Sequence, residues 1–288
     1  MYNVIVIGSG PAGISASIYL KRADLNVLVI SNQKSALNRA EKIENYYGQE
    51  KPISGKELLN KGLQQARNLK IDIIEKEVIG IKYLQQGFEI VTANQGKDEQ
   101  YNAQYVIIAT GANRKQPSIK GISKFQGKGV SYCATCDAYF YKNKDVGVIG
   151  NGEYALGEID ELLPLANKVT MFTDGKEPIQ KRDDILINEN KIEEVRGTEK
   201  LEEIKFEDGK SEKIDGLFIA EGIATSVDLA KKVGARIENN TIAVNSEMET
   251  TIPNLYACGD CTGGILQVSK AVYDGTRAGL AIIKKIRS

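Results

Sequence analysis

Apolar residues recur along the chain as short β-rich runs separated by helical stripes. Tyr2-Asn3-Val4-Ile5-Val6-Ile7 is the first such run, and Gly8-Ser9-Gly10-Pro11-Ala12-Gly13 then opens a helix through about Ala23. Val27-Leu28-Val29-Ile30 forms the next strand. Leu58, Leu59, Leu63, Ala66 and Leu69 fall on one face of a helix predicted over residues 54–69. Strands are predicted over 71–81, 88–92 and 105–109. The last runs into Thr110-Gly111-Ala112, a turn of small residues able to pass close to a bound cofactor. Residues 113–116 read as an interdomain linker, followed by Pro117 as a breaker.

The pattern then starts again. Asp145-Val146-Gly147-Val148-Ile149 is a strand, Gly150-Asn151-Gly152-Glu153-Tyr154-Ala155 a second glycine turn, and a helix runs to about Leu165 before the strand Lys168–Phe172. The unit that opens the chain therefore recurs near residue 145, an internal duplication. Strands and a hairpin fill 183–220, a short helix covers 228–233, and a hairpin turns at Asn239-Asn240. Leu255-Tyr256-Ala257-Cys258-Gly259-Asp260 precedes a Gly-Gly turn and a long helix from about Gln267 to Lys285. The fold class expected is α/β, with two Rossmann-like dinucleotide-binding domains.

Both glycine turns sit between a strand and a helix, the context their chemistry requires. Gly8 permits the sharp turn, Gly10 lets the backbone approach a pyrophosphate, and Gly13 lets helix and strand pack closely. Free N–H groups at the helix start then face the phosphates. The second strand ends at Ser31-Asn32 without a carboxylate, so the usual acceptor for a ribose 2′-OH is missing.

Ser131-Tyr132-Cys133-Ala134-Thr135-Cys136-Asp137 carries the other candidate chemistry, in a chain of four cysteines and no histidine. Three readings fit the pair: a reversible disulfide, half of a zinc site completed by Cys258 and Cys261, or inert buried thiols. The absence of histidine removes Ser-His-Asp triads, histidine metal sites and histidine bases, leaving Asp, Glu, Lys, Tyr and Cys for acid–base work. Lys plus Arg equals Asp plus Glu at 38 each, which gives no global field for nucleic acid or a membrane surface. No apolar run reaches the ~20 residues of a membrane helix, and the N-terminus enters a strand at once, so a cytoplasmic location is expected. At 288 residues, 42% hydrophobic and 26% charged, the chain can bury two cores.

GSGPAG at 8–13, IIATGA at 107–112, CATCD at 133–137, GxGxxA at 150–155 and ACGD at 257–260 together resemble the low-molecular-weight thioredoxin reductases, in order and over essentially the whole chain. The resemblance implies a discontinuous FAD domain (1–114 and 246–288) around a central redox domain (115–245), in a homodimer. It implies that Gly8, Ser9, Gly10, Pro11, Ala12 and Gly13 hold the FAD pyrophosphate and that Val78 meets the adenine. Asn45 then lies near the flavin ring, with Thr110, Gly111 and Ala112 beside the cofactor. Gly259 and Asp260 face the ribityl chain, and Gln267 and Val268 the pyrimidine side. Cys133 and Cys136 match the redox pair, Asp137 its acid, and thioredoxin the substrate; no metal is implied. Cys258 and Cys261 are expected to be packing residues beside the flavin turn.

Two departures change the picture. The family's Gly-Gly-Gln-Leu is here Lys34-Ser35-Ala36-Leu37. More importantly, the His-Arg-Arg of NADPH-using relatives is replaced by Thr173-Asp174-Gly175, followed by Lys176-Glu177-Pro178, and Tyr154 occupies the second loop. A 2′-phosphate needs paired cationic partners, which are missing. In this respect the chain resembles the ferredoxin-dependent flavin thioredoxin reductases of anaerobic bacteria. Lys115, Lys120, Lys124, Lys128 and Lys142 flank the redox segment and would suit an acidic ferredoxin. NADPH or NADH as donor, with Asp174 holding a 2′-OH, and a non-enzymatic flavin-binding redox sensor are the alternatives.

Overall fold

Strand β1 (Tyr2–Ile7) is buried over its last four residues, where it pairs with parallel strands on both edges and packs Val4 and Val6 against helices. The structure, a computed structural model, describes residues 1–33, 35–93, 98–111, 119–221 and 225–288. The chain forms two compact units, Met1–Asn113 with Thr225–Ser288, and Arg114–Ala224.

In the first unit, β2 (Val27–Ser31), β3 (Asp72–Glu75), β4 (Glu77–Leu84), β5 (Gly87–Ala93) and β6 (Glu99–Ile108) join β1 in the order β3-β2-β1-β6-β5-β4. Beside β1 on one edge, the ten-residue β6 serves two partners on the other. Its first half pairs antiparallel with β5, and its second half pairs parallel with a seventh strand, Leu255–Ala257. Helix α1 (Pro11–Arg22), α2 (Gly55–Asn68) and the last helix (Val268–Arg287) supply the core around Val4, Val6, Leu20, Val29, Ala278 and Ile282. Ser54 caps α2 through the N–H of Glu57.

Small residues set how closely α1 and the last helix cross. A Cβ on Gly275 would stand 2.0 Å from the Ala12 carbonyl oxygen, and one on Gly279 3.0 Å from that of Ala16. The resulting contact brings the start of α1 beside the segment that leads into the last helix.

The second unit repeats the first. Parallel strands β8 (Asp145–Ile149), β9 (Lys168–Phe172) and β14 (Gly216–Ile219) correspond to β1, β2 and β6. Strands β7 (Val130–Ser131) and β10 (Leu186–Asn188) flank them in the order β10-β9-β8-β14-β7, and β11 (Ile192–Arg196), β12 (Glu203–Phe206) and β13 (Ser211–Lys213) form a separate sheet. Phe125, Phe172, Phe206 and Leu217 lie in the core between them. The duplication reaches atomic detail. Gly8 donates to the Ile30 carbonyl and Ala109 to that of Ile7; Gly150 donates to Phe172 and Ala220 to Ile149. A Cβ on Gly8 or Gly150 would lie 2.3 Å from the carbonyl oxygen of Ala109 or Ala220.

Two expectations change. The apolar run over 71–81 is two strands, broken at Lys76, whose N–H donates to Ser31 and whose ammonium pairs with Glu99. The second crossing into the first unit falls at Thr225 rather than at 246. The reason is local: Ser226–Lys232, with its Thr225–Asp228 capping box, packs on β4 and on the hairpin Ile237–Glu238/Thr241–Ile242. Asn239 and Asn240 turn that hairpin in the left-handed region.

Candidate functional site

The first glycine loop is shaped to receive an anion. Gly10 caps α1 with no side chain, Pro11 begins the helix, and a Cβ placed on Gly10 would meet nothing within 4 Å. The first N–H groups of a twelve-residue helix therefore face open space, the arrangement that holds a pyrophosphate. Ser9 donates to the Ser31 hydroxyl at 2.8 Å, tying the loop to the end of β2 in place of a carboxylate. Gly13 explains its own identity, since a Cβ there would lie 2.0 Å from the Gly8 carbonyl oxygen.

The turn after the strand Leu255–Ala257 closes onto this loop. Gly259 adopts φ +82°, and a Cβ there would approach Ala12 Cβ at 2.9 Å. A partly buried ion pair fixes the turn: Lys270 Nζ lies 2.8 Å from the buried Asp274, donates to the Gly259 carbonyl at 2.9 Å and to Thr262 Oγ1 at 2.9 Å, while Asp274 accepts the Gly259 N–H at 3.1 Å. This leaves Asp260 half-buried, its carboxylate accepting no hydrogen bond among the described residues. Burial raises its pKa above the ordinary carboxylate value, and Lys270 opposes the rise. A half-buried, unclaimed acceptor beside the mouth of a glycine loop fits a hydroxylated ligand chain. Asn45 Nδ2 donates to Gln267 Oε1 at 3.1 Å, which joins the 43–48 segment to the start of the last helix. Val78 sits on β4 where the register slips between Val78 and Gly80, and Thr110 and Gly111 follow β6. Ala112 and residues 113–116 lie outside the described residues.

Cys258 and Cys261 are free and buried beneath this turn. Burial pushes the Cys261 thiol up to about 12 and Cys258 well above its ordinary value. Cys261 donates to the carbonyls of Cys258 and Ile108. No cluster able to hold a metal occurs among the described residues.

In the second unit, Cys133 is disulfide-bonded and buried at the start of a single helical turn, Ala134–Asp137. The side chain of Cys136 lies outside the described residues. Ser131 organises the segment: it accepts the Cys133 N–H at 3.1 Å and donates to Asp137 Oδ2 at 2.6 Å. Asp137 also raises Tyr141, after burial as the main cause. Behind the turn, Glu158 accepts the Ala134 N–H at 2.6 Å. Tyr139 and Phe140, next in sequence, are 74% and 69% exposed. Sequence reasoning missed Ser131 and Glu158. Ser131 lay within the segment singled out, whereas nothing in the pattern marks a lone Glu on an apolar helix face as a partner of a distant turn.

The second glycine loop is furnished differently from the first. Tyr154, at the position of Ala12, is fully buried. Asn151 Nδ2 donates to the Glu177 carbonyl at 3.0 Å and its carbonyl accepts the Ile179 N–H at 2.8 Å, so the segment after β9 is laced to the loop. Asp174 Oδ1 accepts the Ile192 N–H at 2.8 Å, and Lys176 pairs with Glu221. Among the lysines near the redox segment, Lys120 pairs with Glu194 at 3.1 Å. Lys124 lies 4.6 Å from the Phe125 ring, and Lys128 and Lys142 are exposed without an ion pair among the described residues. Lys115 lies outside them.

A family profile for pyridine nucleotide-disulphide oxidoreductases matches residues 2–275. A thioredoxin reductase of Aquifex aeolicus (strain VF5) is 34% identical over 304 residues, covering 99% of this chain and 93% of the relative. One from Bacillus subtilis (strain 168) is 32% identical over 308 residues, covering 98% and 94%. The atypical thioredoxin reductase TRi from Desulfovibrio vulgaris Hildenborough superposes with a TM-score of 0.92 at 34% identity, covering 100% of this chain and 98% of that one. A ferredoxin-flavin thioredoxin reductase from Clostridium acetobutylicum gives 0.72 at 34% identity, covering 99% and 98%. With the glycine loops, the Asp260 turn and the disulfide at Cys133 in place, this chain belongs to the pyridine nucleotide-disulphide oxidoreductases and, within them, to the thioredoxin reductase family of FAD-binding flavoproteins.

Proposed function

We propose that this chain reduces thioredoxin with electrons taken from reduced ferredoxin rather than from NADPH or NADH. The carrying observation is the second glycine loop, to which the post-β9 segment is laced through Asn151. Asp174, the residue available for a 2′-OH, has its Oδ1 engaged by Ile192, and Lys176, the cation in that segment, is paired with Glu221. A 2′-phosphate finds no free pair of cations in this segment among the described residues, and the Asp174 carboxylate is already turned to its own chain through Oδ1. The fold likeness to a ferredoxin-flavin thioredoxin reductase supports the same reading.

The first unit would hold FAD through Gly8–Gly13 on the pyrophosphate and Asp260 on the ribityl hydroxyls. Bound FAD supplies an electron store that can be filled singly and drawn down in pairs. The chain's own work is at the cysteines. Reducing the Cys133–Cys136 disulfide takes up two electrons and two protons. One dithiol sulfur then attacks the thioredoxin disulfide, and the second resolves the mixed disulfide. Asp137, held at 2.6 Å by Ser131, is the positioned acid that exchanges a proton with the pair. Exposed Tyr139 and Phe140 beside it offer apolar contact to a docking protein, and Lys124, Lys128 and Lys142 offer charge to an acidic donor. The energetics suit the donor: thioredoxin near −270 mV and plant-type ferredoxins near roughly −400 mV leave about 6 kcal/mol for two electrons.

The test is an anaerobic steady-state assay of thioredoxin thiols with each donor supplied in turn. Reduced ferredoxin is expected to sustain turnover and NADPH and NADH are not. Turnover with either pyridine nucleotide at rates matching ferredoxin would contradict the proposal and promote the nucleotide-driven reading. Failure with all three donors would favour a redox sensor.

A further inference from the structure

Lys270 is the third residue of the last helix, Val268–Arg287, where a cation opposes the helix dipole. It also precedes its partner Asp274, the less favourable order for an i,i+4 pair. Neither term favours the helix, so the lysine calls for another reason. Its ammonium is fully committed: it pairs with Asp274, whose side chain is 5% exposed, and donates to the Gly259 carbonyl and to Thr262 Oγ1 at 2.9 Å each. Three donors meet three acceptors.

The reason lies in what the pair holds. Both backbone polar groups of one glycine are taken by these two side chains, the Gly259 carbonyl by Lys270 and the N–H by Asp274 at 3.1 Å. Gly259 stands at φ +82°, ψ −152°, a conformation that suits glycine, with Ala12 of the first glycine loop against it. Asp260 follows directly, half-buried, its carboxylate accepting no hydrogen bond among the described residues. Burial raises the Asp260 pKa and Lys270 opposes the rise, so the two side chains feel each other. Yet the ammonium is committed to the backbone, and the carboxylate is left open to a ligand.

We propose that Lys270 is a positioning residue for the flavin half of FAD: with Asp274 it clamps Gly259 by both its peptide groups and so presents Asp260 to the ribityl hydroxyls. The pyrophosphate is left to the glycine loop at 8–13, whose N–H groups Lys270 does not touch. FAD is then held at two separable points, and Lys270 governs one of them. This rests on the reading of Asp260 as the ribityl partner, but not on the identity of the electron donor.

The experiment uses full-length FAD-loaded protein in a fixed excess of free FAD, with ADP as the competitor. ADP carries the adenosine and the pyrophosphate but no ribityl chain. The ADP concentration that releases half the bound flavin, read by recovery of flavin fluorescence, reports the ratio of the two affinities. Lys270→Met removes the hydrogen bonds of a charged donor and should weaken FAD but not ADP, so half-release should come at an about tenfold lower ADP concentration than in wild type. Asp260→Ala should lower it in the same direction. Lys270→Met/Asp274→Asn leaves no unpaired carboxylate, keeps an acceptor for the Gly259 N–H, and carries the test should the single variant not fold. An unchanged half-release concentration in the folded Lys270 variant, beside a lowered one in Asp260→Ala, overturns the proposal. General loosening of the unit would give that result, because it weakens FAD and ADP together. An unchanged value in Asp260→Ala as well would overturn the ribityl reading with it; no readout uses ferredoxin, NADPH or thioredoxin.

Discussion

Ser131 does two things with one hydroxyl: it accepts from the Cys133 N–H and donates to Asp137, and so ties the acid to the backbone of the cysteine. Replacing Asp137 by Asn removes the proton and should slow thioredoxin reduction by ~10²–10⁴-fold, with FAD retained. Ser131→Ala leaves the acid in place but loose. Losing a hydrogen bond to a charged group costs about 1.5–3 kcal/mol, so turnover should fall at least about tenfold, less than for Asp137→Asn. Equal turnover in Ser131→Ala and wild type, measured by thiol release, would remove Ser131 from the account. Cys258 and Cys261 give a pH signature of a different kind. Their folded thiols are raised by burial, so their contribution to stability is complete below the unfolded value near 9 and is lost as pH climbs towards about 12. Melting curves should therefore fall above pH 9, and a Cys258→Ala/Cys261→Ala variant should flatten that fall. Identical alkaline slopes for both proteins would show that the two thiols do not matter to it.

At the scale of elements, the crossing of α1 and the last helix joins the glycine loop to the Asp260 turn, and glycine is used in two distinct ways. Gly275 is needed for packing, since its Cβ would stand 2.0 Å from a backbone carbonyl. Gly10 has open space around it and is needed for a ligand. Gly275→Val should therefore destabilise the first unit by about 3 kcal/mol or more and lose FAD with the fold. Gly10→Val should fold, by circular dichroism and melting, and come off the column colourless. A folded, fully yellow Gly10→Val protein would place the cofactor elsewhere. The strand–loop–helix repeats and the long helices were legible because glycine spacing and apolar periodicity are local signals. The break at Lys76 was not, because its cause is a distant ion pair with Glu99 within an unbroken apolar run. Nor was the Lys270–Asp274 pair: an i,i+4 couple usually marks a solvated helix face, and only the approach of Gly259 buries this one.

For the molecule as a whole, the first unit is built from two stretches of chain that it ties together itself, since Ser226 Oγ donates to the Gly111 carbonyl at 3.0 Å. A chain with residues 114–224 excised and the ends joined by a short linker should fold and bind FAD, since the first unit has its own core. A colourless, unfolded product would show that the first unit depends on the second. The family resemblance anticipated the order of motifs along the entire chain. It could not anticipate that Asp174 would cap Ile192 or that Asn151 would lace down the segment after β9, since both depend on a loop's path. On the surface, Lys120 is already paired with Glu194, so Lys124→Glu and Lys128→Glu should slow ferredoxin-driven turnover more than Lys120→Glu, and added salt should erase the difference. Equal effects at all three positions would remove charge steering from the account.

Anaerobic stopped flow at the flavin absorption band, with reduced ferredoxin, NADPH and NADH mixed separately against the oxidised protein, tests the choice of donor most directly. Rapid bleaching by ferredoxin alone is the result expected from a second glycine loop whose neighbours Asp174 and Lys176 are engaged by the chain itself. Bleaching by NADPH or NADH at tens per second would contradict it.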